Sequence, residues 1–91
     1  MADHFERVAQ LVVEFKLSGG TLEGDKGYQV YGLYKQATSG DNTAPRPADE
    51  AAARKWDAWE AKKGLTHDQA KEQYVESFRA WFPADWVARL G

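Results

Sequence analysis

The sequence predicts an all-α protein built as a four-helix bundle, and three observations point there. Apolar residues recur at helical spacing in four separate segments, and breaks rich in glycine, proline or turn formers divide those segments. No stretch alternates apolar with polar residues as a half-buried strand would. At 91 residues the chain suits a single domain spanning positions 1–91.

The first helix is expected from about Asp3 to Leu17. Asp3 followed by Glu6 gives a capping-box-like start, and Phe5, Val8, Ala9, Val12 and Phe15 share one apolar face. The stretch "SGGTLEGDKG" holds four of the eight glycines, so this helix stops by Ser18 and the next is established near Lys26. That second helix carries "KGYQVYGLYKQAT". Gly27 and Gly32 weaken it by roughly 1 kcal/mol each relative to alanine, so packing must hold it. "SGDNTAPRP", dense in turn formers, is the longest break in the chain.

The third helix, "ADEAAARKWDAWEAKKG", sets acids early and lysines late, which complements the helix dipole, and Gly64 ends it. Trp56 and Trp59 are expected to pack inward and to leave Lys55 near the edge of the packed face. Thr66 with Gln69 forms a second capping box. It opens a fourth helix whose stripe is Ala70, Tyr74, Phe78 and either Trp81 or Phe82. Pro83 disfavours helical geometry at Phe82 and is expected to end or kink the helix there. The tail "ADWVARLG" has room for one short helical turn pinned by Trp86, Val87 and Leu90.

Composition narrows the function classes. With no cysteine, disulfides and thiolate metal sites are excluded. No apolar run approaches a membrane span, and the N-terminus mixes charges into its apolar pattern, so a cytoplasmic protein without stable membrane insertion is expected. A net charge of −2 argues against a broad electrostatic grip on nucleic acid. Catalytic signatures are also lacking. His4 and His67 have no metal-ligand spacing, Ser18, Ser39 and Ser77 lie in no nucleophile elbow, and the pairs Asp49/Glu50 and Asp68/Glu72 suit solvated, capping positions. The chain is expected not to be an enzyme and to hold no metal or cofactor.

A binding face is easier to find. At about 100° per residue, Tyr31, Tyr34, Lys35 and Thr38 fall within an arc of roughly 100°, opposite the packing stripe Val30, Leu33 and Ala37. Lys35 must turn its ammonium toward solvent or an anion, because a buried unpaired lysine is costly. A neighbouring tyrosine offers a hydroxyl to that anion and a ring face to a base. On residue types alone, half-buried tyrosines with hydroxyls in water are the commoner outcome. In the third helix, Lys55 beside Trp56 is either a stem covering apolar surface or a second cation near Lys35.

The sequence as a whole resembles the acyl-CoA-binding protein family. "YGLYKQATSGD", the later "RP", "KWDAWEAKKG" and a tyrosine ten residues after Gly64 match that family's Tyr-x-x-Tyr-Lys-Gln-Ala-Thr-x-Gly-Asp, Arg-Pro and Lys-Trp-x-Ala-Trp pattern. The resemblance implies an up-down-down-up bundle that carries long-chain acyl-CoA thioesters as a monomer and makes transient contacts with enzymes that use them. It also implies roles. Tyr31, Lys35 and Lys55 would contact the 3′-phosphate, Tyr34 would lie against the adenine, and Tyr74 would close the nucleotide site.

Three departures from the family pattern stand out. Val13 replaces a lysine common in the family's first helix, with Lys16 and Arg7 the nearby cations. The first connection is longer and glycine-rich, and the segment between "RP" and "KW" is shorter. The tail after Pro83 has no familiar counterpart. Two competing readings are a helical interaction module that docks a protein through Trp81, Phe82 and Trp86, and a single-strand nucleic-acid binder.

Overall fold

The computed structural model describes residues 4–90, and among them it contains five helices and no strand. α1 (Phe5–Leu17), α2 (Lys26–Ser39), α3 (Glu50–Glu60) and α4 (His67–Trp81) are the four expected segments, and α5 (Ala84–Ala88) is the short turn expected in the tail. The cap expected at Asp3 lies outside the described residues. His4 occupies the N-cap of α1 without a side-chain hydrogen bond.

The other boundaries follow local chemistry. Ser18 Oγ donates to the Phe15 carbonyl at 2.7 Å as α1 ends. Gly40, at φ +81°, closes α2 in a conformation that glycine adopts without strain. α3 starts at Glu50, two residues later than the sequence suggests, because Asp49 accepts from the Ala52 N–H at 3.0 Å and caps it. The Thr66–Gln69 box forms in both directions, at 3.0 and 2.9 Å. Phe82 is extended (φ −89°, ψ 156°), as the residue before a proline favours, and α4 stops at Trp81.

α2 is the central helix, packed on both α3 and α4, while α1 rests mainly on α4. Gly32 permits the α2–α3 approach, because a methyl group there would overlap the Ala58 carbonyl. The core joins Val8, Leu11, Val12 and Phe15 of α1 to Val30, Leu33 and Ala37 of α2 and Ala70, Tyr74 and Phe78 of α4. Leu11, outside the expected stripe, is fully buried, whereas Ala9 is half-buried. Of the two candidates ending the α4 stripe, Phe82 is buried and Trp81 is half-buried.

Trp56 and Trp59 correct the sequence reading. Both are half-buried, and they hold the α2–α3 loop rather than fill the core. The Trp56 indole donates to the Ala44 carbonyl at 2.7 Å and the Trp59 indole to the Gly40 carbonyl at 2.8 Å. An indole N–H needs a partner when covered, and a loop with free carbonyls supplies one. The inward residues of α3 are instead Ala53 and Ala58.

A polar knot secures the same end of the bundle. Gln36, fully buried, donates to Asp41 Oδ1 at 2.8 Å and to the Leu65 carbonyl at 2.9 Å. Asp41 Oδ1 also accepts from the Gly64 N–H at 2.9 Å. That backbone bond, then the Gln36 amide, holds the Asp41 carboxyl below its usual range. His67 Nδ1 donates to the Ala37 carbonyl at 2.7 Å, joining the start of α4 to the last turn of α2.

Candidate functional site

Because α1 and α2 both stand on α4 without packing closely on each other, a space opens between them. The cleft measures about 570 Å³, within the range of small-molecule sites. Tyr31, Tyr34 and Lys35 form the α2 wall together with Val30, and Tyr74 of α4 contributes from below. Of the residues that helical spacing sets on one face, Tyr31, Tyr34 and Lys35 line the cleft and Thr38 does not, and Val30 of the packing stripe lines it too.

α1 supplies the other wall through Ala9, Gln10, Val12, Val13 and Lys16. Gln10 carried no signal in the sequence. Val13 did: it is an apolar residue off the core stripe and 55% exposed. Lys16, one of the two cations near that position, lines the cleft.

One end of the cleft is aromatic. Phe5 and Tyr34 lie nearly parallel, with centroids 6.0 Å apart, and Tyr74 is tilted against both at 5.2 and 5.9 Å. Tyr34 is 39% exposed and Tyr74 only 3%. Burial, then the proximity of Tyr34, pushes the Tyr74 phenol well above its ordinary range, so it stays a neutral hydroxyl.

Cations gather along the α2–α3 side. Lys55 Nζ stands 5.5 Å from the centroid of the Tyr31 ring, and Lys35 Nζ stands 5.0 Å from that of Trp59. Trp59 is itself fixed by its bond to Gly40, so it forms a rigid shelf under Lys35. Lys55 is exposed and lies beside the cleft lining, joined to the site through Tyr31. Among the described residues neither lysine has a carboxylate partner; the ion pairs there are Arg46–Asp57, Arg54–Glu50 and Lys63–Glu60. Thr38 shares the face, but its hydroxyl donates to the Tyr34 carbonyl at 2.9 Å and it does not line the cleft.

An amphiphile with an anionic, ring-bearing head and an apolar body fits such a surface: unpaired cations and tyrosines at one side, valines along the walls. Among the described residues no three His, Cys, Asp or Glu side chains converge as a metal site, and no helix is long and apolar enough to cross a membrane.

Comparison with known proteins agrees with this geometry. Residues 2–78 match the family model described as acyl CoA binding protein. Acyl-CoA-binding protein homolog 1 of Caenorhabditis elegans is 40% identical over 73 residues, covering 78% of this chain and 81% of that protein. Acyl-CoA-binding protein 2 of Saccharomyces pastorianus is 38% identical over the same length, covering 78% and 80%. A local match to autophagy-related protein 37 of Komagataella phaffii, at 46% over 54 residues, spans only 13% of that longer protein. The crystal structure of Oryza sativa acyl-CoA-binding protein 2 superposes with a TM-score of 0.72 at 32% identity, covering 86% of both chains. With the family model spanning most of the sequence and the fold matched as well, the chain belongs to the acyl-CoA-binding protein family.

Proposed function

We propose that this protein binds long-chain acyl-CoA thioesters non-covalently in the α1–α2 cleft and serves as a monomeric cytoplasmic carrier, its whole length forming one binding domain. The observation that carries the reading is the pairing of two unpaired lysines over aromatic rings with an adjoining valine-lined cleft. Tyr31, Lys35 and Lys55 hold the 3′-phosphate, Tyr34 lies against the adenine, and Tyr74 closes the nucleotide site as a neutral donor. Lys16 supplies a further cation in place of the lysine that Val13 displaces.

Magnitudes divide the labour. A charge-assisted hydrogen bond contributes roughly 1.5–3 kcal/mol, and each buried methylene about 0.8 kcal/mol before ordering costs. The acyl chain therefore supplies most of the affinity and the head-group contacts supply selection. No step of this function breaks a bond, and the protein acts by sequestering the thioester and releasing it to the enzymes that consume it.

Calorimetric titration with palmitoyl-CoA tests the proposal. Lys35→Ala should weaken binding by about ten- to a hundredfold. Equal and weak affinity of wild type and variant would sink it. The interaction-module alternative requires exposed aromatics at the C-terminus, yet Phe82 is buried and Trp81 and Trp86 pack partly against the core. Competition by free CoA but not by an oligonucleotide would dispose of the nucleic-acid reading.

A further inference from the structure

A smaller pocket of about 60 Å³ adjoins the cleft, sharing Val12, Lys16 and Val30 with it. Phe15 and Phe82, which line this pocket but not the cleft, form an aromatic wall with centroids 4.9 Å apart. Trp86 of α5 stands edge-on to Phe15 at 5.5 Å, and Phe78 backs Phe82 at 4.8 Å. Gly20 of the first connection and Gly27 in the first turn of α2 shape the remainder. A Cβ on Gly20 would stand 2.5 Å from the Phe15 ring, so only glycine leaves that ring in place. Gly27 also lines the pocket, and a Cβ there would meet nothing within 4 Å, so a side chain can be added at that position.

We propose that this pocket receives the terminal methylenes of the acyl chain, and that the Phe15–Phe82 wall, braced by Trp86, sets the longest chain the protein holds in full. The inference rests on the acyl-CoA reading and adds to it a determinant of chain length. Phe82 and Trp86 lie beyond residues 2–78, the part of the chain that the family model matches. The limit is thus set by a segment outside the matched part of the chain. The space has room for about two methylene groups at about 30 Å³ apiece, and its walls offer them aromatic and aliphatic carbon. The neighbouring Lys16 stays at the rim, where its stem covers apolar surface and its ammonium faces outward.

The experiment is a calorimetric series of saturated thioesters from octanoyl-CoA to stearoyl-CoA against wild type, Gly27→Leu and Phe82→Leu, each confirmed folded by circular dichroism. Wild-type affinity should rise about fourfold per methylene until the pocket is filled, then level off. Gly27→Leu, which adds a side chain at the pocket lining, should level off about two carbons earlier, an approximately fifteenfold loss at the longest bound chain with the shortest thioester unaffected. Phe82→Leu should move the plateau the other way. A plateau unmoved in both variants, or a uniform loss at every chain length, overturns the chain-length assignment while leaving acyl-CoA binding intact. A wild type that binds no thioester overturns both.

Discussion

α1 carries a phenylalanine near each end, and the two rings sit in opposite company. Phe5 joins Tyr34 and Tyr74 in a cluster that reaches solvent through Tyr34, with Lys71 Nζ 5.5 Å above the Phe5 ring. Phe15 joins Phe82, Phe78 and Trp86 in a cluster without a hydroxyl. Similar ring packing thus makes two different ends: the open one carries tyrosine hydroxyls, and the closed one carries none. The difference lies in which aromatic residue type each position carries, not in how tightly the rings meet, since centroid separations overlap at 5.2–6.0 and 4.8–5.5 Å.

Truncation should separate the two ends most clearly. Phe78→Ala at the closed end, where the residue is 1% exposed, should cost about 3–5 kcal/mol in urea unfolding. Tyr34→Ala at the open end should cost about 1 kcal/mol or less, with its main effect on ligand affinity. Equal losses of stability would erase the distinction.

A finer probe removes one oxygen. Tyr74→Phe should weaken thioester binding by about two- to tenfold, as expected for one neutral hydrogen bond, with little change in the unfolding midpoint at neutral pH. Unchanged affinity would make Tyr74 a core ring and nothing more.

The smallest effect is a slope. Because burial raises the folded-state pKa of Tyr74 above the ordinary value of about 10, the unfolded chain releases that proton first. The stabilisation is complete below about pH 10 and declines as pH rises toward the folded value. Tyr74→Phe should flatten this alkaline decline in thermal unfolding, and a slope identical in the two proteins would contradict the burial argument.

Local signals were legible in the sequence where their partners are close along the chain. Pro83 ended α4 at Trp81, and Thr66 with Gln69 capped it, because each acts within a turn of itself. Tyr31, Tyr34 and Lys35 were legible as one face because a helix fixes their relative directions. Trp56 and Trp59 were misread because spacing cannot tell a ring in the core from one covering a loop whose carbonyls lie 12 and 19 residues away. Gln36 was unreadable for the same reason: its Leu65 partner is 29 residues distant. The α1 wall of the cleft was half visible, in the anomaly of Val13 and in the nearby Lys16, and no local rule marked Gln10.

The seating of α1, on α4 with an open space toward α2, has a dynamic consequence. Its buried side chains rest on the core, but its backbone stands apart from that of α2, and a ligand lying in the gap becomes the layer that α2 does not provide. Amide hydrogens of α1 should therefore exchange through partial opening more readily than those of α2 in the free protein. They should gain the most protection when thioester is bound, since whatever fills the gap must leave before α1 can lift.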